Sequence, residues 1–250
     1  MSIVLDKFIG FSSLLIYLSI ATFPVTFIRS APAEPVSIVD DAPLYSENTI
    51  DWTKNIAHIA LDVEKMLHDD YVLIDLERGI VTMKDNHALL DRIFAEAEDR
   101  ICVRSSYTEQ QALDVVKTIY RILEEEGFRY RDYSSDGYFF LGCHLFGYGL
   151  AKREIDCVSY SLLGLGVAER LNLPMTGIFM PGHFALRWHL DHGESMNIEM
   201  TVPARCDNDF YIGWKGILRD TVERGVYLRD LSRREVVAQQ FYSLSLVWER

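Results

Sequence analysis

Residues 157–171 constrain the fold more than any other stretch of the chain. The spacing is helical, yet Val158, Leu162, Leu163, Leu165, Val167, Ala168 and Leu171 cover nearly the whole circumference. A helix that is apolar all round has no face to turn to water, so it has to be enclosed by other layers. Only Glu169 and Arg170, at its end, suit solvent. Asp156 is well placed to cap its first turn, and Pro174 prevents it from running on. A chain of 250 residues is long enough to build such an enclosure as one domain with an extension.

The flanking segments supply the layers. Residues 51–68 predict a helix, with Ile56, Ile59, Ala60, Val63 and Leu67 at helical spacing. Residues 71–83 predict two short strands around Glu77-Arg78-Gly79, and residues 86–101 a second helix. Thr108 and Gln111 form a capping box that opens a third helix, ending at Gly127. Beyond Pro174 the period shortens. Residues 175–180, 184–190 and 196–202 predict three strands joined by tight connections. Residues 231–248 return to a helix, with Ser232 as N-cap and Glu235 closing a second capping box. Helices, then strands, then helices describe an α+β fold rather than alternating α/β.

Residues 8–28 form an uncharged, strongly apolar run, long enough to cross a bilayer as a helix. The length favours an uncleaved membrane anchor. The competing reading is a signal peptide cut after Ala33, where Ala31-Pro32-Ala33 fits the small-x-small rule. Residues 30–50 read as a linker broken by Pro32, Pro35 and Pro43 and solvated by its acidic side chains. The domain proper spans 51–250, and its expected location is the membrane or the cell envelope outside it.

A formal charge of −12, with no basic stripe interleaved with aromatics, argues against a nucleic-acid partner. Four cysteines in 250 residues are too few and too scattered for a disulfide scaffold, and no Cys-x-x-Cys pair suggests structural zinc.

Cys157 opens the buried helix. There the backbone N–H groups lack intrahelical acceptors and the helix dipole is positive, so both a thiolate and a developing oxyanion would be stabilised. The pattern therefore predicts a lowered thiol pKa. His183, in Pro181-Gly182-His183-Phe184, follows a strand and a tight turn that can bring it back towards the start of that helix. On the strand after it, Asn197, Glu199 and Thr201 share a face and could orient an imidazole. Singly, these residues equally suit plain roles: a small buried cysteine, a histidine opening a strand, a wet strand face. His189 and His192 stand on alternating faces and in a turn, which disfavours a metal cluster with His183, and Cys143-His144 is an equally weak one. Tyr138 and His144 are candidate oxyanion donors.

Ile155-Asp156-Cys157-Val158-Ser159-Tyr160-Ser161-Leu162-Leu163, then Ala168-Glu169-Arg170-Leu171-Asn172-Leu173-Pro174, then Pro181-Gly182-His183-Phe184-Ala185-Leu186-Arg187-Trp188, then Asn197-Ile198-Glu199-Met200-Thr201 resemble the transglutaminase-like superfamily. Within it they look most like the bacterial transglutaminase-like and SirB1-like branch. Residues 225–235 resemble the tail of those proteins, and the likeness covers roughly residues 108–245. It implies a papain-like core, with the nucleophile at the N-terminus of a central helix packed on an antiparallel sheet. It also implies a Cys-His-Asp triad whose acid precedes a Pro-Thr pair. Glu199-Met200-Thr201 takes that place here, so the implied triad is Cys157, His183 and Glu199, with Asn197 the alternative orienter. SirB1-like relatives often lack the cysteine; this chain keeps both Cys157 and His183. The implied activity is thiol-dependent acyl transfer on amide bonds of a protein or peptide, hydrolysis foremost, with no cofactor and no metal. Protein cross-linking, or a tethered module that binds a partner without chemistry, are the alternatives.

Overall fold

The computed structural model describes residues 50–68, 74–75, 79–80, 86–131 and 145–248. The apolar run at 8–28 and all but the last residue of the linker lie outside them. In chain order the first elements are helix α1 (Ile56–His68), the paired strands β1 (Ile74–Asp75) and β2 (Gly79–Ile80), and helices α2 (Asn86–Arg100) and α3 (Glu109–Glu125). Next come strand β3 (Arg129–Tyr130), helix α4 (Phe146–Lys152) and strand β4 (Glu154–Ile155), with β3 and β4 parallel. The central helix α5 (Cys157–Leu171) leads into strands β5 (Met175–Met180), β6 (His183–His189), β7 (Ser195–Glu199) and β8 (Ala204–Cys206). Helices α6 (Asn208–Lys215) and α7 (Arg219–Glu223), strand β9 (Asp230–Leu231) and helix α8 (Arg233–Trp248) complete the chain.

The fold is α+β, and its largest sheet is antiparallel, in the order β8-β7-β6-β5-β9. Helix α5 is sandwiched as its sequence demands: residues 159–168 are all buried. It packs on β5 and β6 on one side and on α1, α2 and α3 on the other. Two glycines permit this closeness. A Cβ on Gly164 would stand 2.8 Å from Leu186 Cδ1 of β6, and one on Gly166 would stand 2.8 Å from Phe94 Cζ of α2 and 3.1 Å from Ala57 Cβ of α1. Phe94, Leu162, Leu163, Leu186, Trp188 and Ile198 belong to the main core, each side chain worth roughly 1.5–3 kcal/mol on burial.

The local signals act where they stand. Asp156 caps α5 by accepting from Ser159 N–H at 2.9 Å. Thr108 and Gln111 form the reciprocal box at the start of α3, and Gly127 takes the positive φ that ends it. Ser232 and Glu235 bond reciprocally before α8. Several boundaries differ from expectation, three of them near the site or the central helix. Helix α1 starts at Ile56 rather than 51, with its first N–H bonded to Glu169 Oε2 at 2.7 Å. Strand β6 already includes His183, and β7 stops at Glu199, where the chain turns.

Candidate active site

The Pro181-Gly182 hairpin fixes the histidine. Met180 and His183 are paired across it, and Gly182 supplies the positive φ of 62° that the two-residue turn needs. His183 is thereby the first residue of β6, buried against the rest of the sheet. Strand β7 lies alongside, and its last residue, Glu199, places Oε2 2.6 Å from His183 Nε2. Both side chains are nearly buried, so the ring and the carboxylate face each other out of water.

Glu199 is held from three sides besides. Its Oε1 accepts from Thr201 N–H at 3.1 Å and Oγ1–H at 2.7 Å, and its Oε2 accepts from the Tyr211 hydroxyl at 3.3 Å. Burial acts to raise the carboxyl pKa, but the bonds from His183 and Thr201 outweigh it and hold it below the ordinary glutamate value. The carboxylate is therefore ionised at neutral pH and able to stabilise an imidazolium. Burial and the Glu199 charge in turn keep the Tyr211 phenol protonated.

Asn197, two residues back on β7, is turned elsewhere. Its Oδ1 accepts from Arg187 Nε at 2.9 Å and its Nδ2 donates to Asn208 Oδ1 at 2.7 Å. Arg187 also donates to Leu228 O and to Asp230, so this network ties β6 and β7 to the segments around α6 and β9. Asn197 and Glu199 share one strand face, and their hydrogen bonds separate them.

Cys157 stands at the first position of α5, half-buried. The thiol meets the sheet next to the histidine: the Phe184 backbone hydrogen-bonds to its sulfur, and Ser161, one turn along α5, donates to Phe184 O at 3.2 Å. The expectation of a lowered thiol pKa is corrected here. Desolvation pushes the thiol up to about 12, with the charges of Asp156 and Glu199 adding to the rise and the Phe184 backbone and Lys215 opposing it. The dipole of a buried helix is outweighed by the loss of water around the sulfur. With its pKa so raised, Cys157 rests as a neutral thiol at neutral pH.

Tyr138, Cys143 and His144 lie outside the described residues. His189 turns to Thr176 and Asp230, away from His183, and among the described residues no group of three or more His, Cys, Asp or Glu is arranged to hold a metal. Tyr211 and the helix that carries it were missed from sequence. The signals were there: Asp207 is an N-cap, accepting from Phe210 N–H, and Gly216 closes α6 in the left-handed conformation.

Searches of curated proteins and of solved structures give no match. A family model described as transglutaminase-like superfamily matches residues 84–238, more than half of the chain and the whole of the Cys157, His183 and Glu199 neighbourhood. On that match, the chain belongs to the transglutaminase-like superfamily.

Proposed function

We propose that the protein is a thiol-dependent amidohydrolase or peptidase with Cys157 as nucleophile, His183 as base and Glu199 as the group that orients and charges the imidazole. The observation that carries this reading is the 2.6 Å His183–Glu199 contact, beside a cysteine that opens the buried helix. As Cys157 Sγ bonds to the amide carbonyl carbon, its proton passes to His183, and Glu199 balances the imidazolium. The carbonyl oxygen takes the negative charge, facing the first backbone N–H groups of α5, which have no intrahelical acceptor. Collapse breaks the C–N bond, and His183 returns the proton to the leaving amine. Water then attacks the thioester, again losing its proton to His183, and the acid departs with the thiol restored. An amine in place of water would give cross-linking; water is the acceptor always present.

Within the superfamily, the bacterial SirB1-like branch fits the quoted motifs best, and residues 8–28 would tether the domain to a membrane. Among the described residues no helix is long and apolar enough to cross one. The rival reading, a binding module without chemistry, draws on the burial that raises the Cys157 thiol. Two measurements separate the readings. Iodoacetamide at pH 7 should alkylate Cys157 ahead of the exposed Cys102, as read by peptide mass spectrometry. Full-length protein should cleave members of a dye-labelled peptide library, with Cys157→Ala inert and dansylcadaverine incorporation reporting any transfer to amines. A Cys157 slower than Cys102, with no peptide cleaved, would favour the binding module.

A further inference from the structure

Helix α6 carries an exposed aromatic shelf against the candidate base. Of the six exposed large apolar side chains among the described residues, Val202, Phe210, Trp214 and Leu218 all follow Glu199 within one short segment of chain. Phe210 and Trp214, a turn apart on α6, are 50% and 52% exposed, with ring centroids 5.7 Å apart. The helix has its own buried anchor in Tyr211, so these two rings are not needed to hold it down. Trp214 meets the edge of the His183 ring at a centroid distance of 4.9 Å. Lys215 Nζ stands 3.8 Å from the Trp214 ring centroid, and its charge is felt at the Cys157 sulfur. The shelf thus borders His183, on a helix whose Lys215 charge reaches Cys157, while presenting its apolar surface to water.

Resting on the amide-cleavage reading above, we infer that Phe210 and Trp214 form the subsite for a large apolar, preferably aromatic, side chain next to the scissile amide of a peptide substrate. A carbonyl brought to Cys157 beside His183 places its neighbouring residue near Trp214. Two half-exposed rings offer such a side chain offset or edge-to-face contacts along with its own burial. Exposed aromatic pairs elsewhere on a surface would be an association liability; here the histidine fixes what the pair borders.

The test compares N-acetyl-phenylalanyl and N-acetyl-glycyl chloromethyl ketones, in which sulfur displaces chloride, on the full-length protein. Rates of Cys157 alkylation are normalised to those with glutathione. The wild type should prefer the phenylalanyl probe roughly tenfold or more, and Phe210→Ala and Trp214→Ala should each bring that preference towards one. Trp214→Phe should retain most of it, which separates a lost contact from a disturbed helix. If both probes alkylate Cys157 equally in the wild type, or the preference survives both alanine variants, the subsite is wrong while the thiol chemistry stands. If neither probe alkylates Cys157, the functional reading fails and the subsite with it. An unchanged preference, with weaker binding of the double variant to phosphatidylglycerol vesicles, would assign the shelf to a lipid surface and overturn the inference.

Discussion

Glu199 Oε2 lies 2.6 Å from His183 Nε2, whereas Asn197, on the same face of β7, bonds to Arg187 and Asn208. A carboxylate in that place stabilises the imidazolium; an amide only holds the ring. Glu199→Gln should therefore slow Cys157 alkylation by iodoacetamide at pH 7 by roughly 10²-fold and shift the rising limb of the pH–rate profile, where the imidazolium loses its proton, to lower pH. Asn197→Ala should leave that limb in place, while loosening the anchor between the sheet and α6. The reverse pattern in the two profiles would hand the orienting role to Asn197.

On the proposed reading, in which His183 is the base for Cys157, the raised thiol makes the histidine indispensable rather than helpful. A thiol held at about 12 carries almost no thiolate at pH 7, so under the proposed mechanism its reactivity there comes from proton transfer to His183. His183→Ala should leave alkylation that climbs only above about pH 10 and falls on the order of 10²-fold at pH 7. The exposed Cys102 serves as the internal control, since its rate should not move. Equal Cys157 rates in wild type and His183→Ala would break the pairing.

How much of this could be read in the sequence depends on whether the determinants are local. Periodicity and caps are local, so α5, bounded by Asp156 and Pro174, was legible to the residue, as was β5. Helix α6 was missed because its aromatic positions are divided between a buried Tyr211 and exposed Phe210 and Trp214, which blurs a helical stripe. Strands β3, β4 and β9 are two residues long and exist only through pairing with distant partners, which no local pattern encodes, while β8 is a three-residue hairpin return from β7. The pairing of His183 with Glu199 was legible as a motif. The rise in the thiol pKa was not, because desolvation depends on what three layers place around the sulfur.

The close approach at Gly166 gives a stability test. Alanine is the better helix former by about 1 kcal/mol. Yet the new Cβ would meet the Phe94 ring at 2.8 Å and Ala57 Cβ at 3.1 Å, both inside the core. Overpacking of this kind typically costs about 1–3 kcal/mol, so it should win. Gly166→Ala should lower the urea midpoint with the m-value unchanged. A raised midpoint would show that α1 and α2 can move aside at little cost.

Glu64 yields a prediction about pH. The side chain is fully buried in α1 and caps the start of α4, accepting from the N–H of Phe146 and, at 2.6 Å, of Gly147; Gln240 Nε2 donates to it at 2.9 Å. These donors favour the carboxylate, but desolvation is the larger effect, and the Asp156 charge adds to it, so the carboxyl is pushed up to about 8. The folded state thus binds this proton more tightly than the unfolded chain, whose glutamate sits near 4.5. A raised acid stabilises the fold fully below about pH 4.5 and loses that contribution as pH climbs through about 8. At about 1.4 kcal/mol per unit, the loss is on the order of 5 kcal/mol at most. Gln240 Oε1 lacks a partner and, after an amide flip, can accept from the Glu64 hydroxyl or from an amide put in its place. Glu64→Gln keeps the shape without the charge, though its NH₂ group, turned to Gln240, leaves Phe146 N–H short of an acceptor, at roughly 1–3 kcal/mol. Urea unfolding at pH 5.5 should therefore show the variant less stable than wild type. At pH 8.5 the gap should close or reverse. A gap that is the same at both pH values would mean that Glu64 is ionised throughout, with the three donors outweighing its burial.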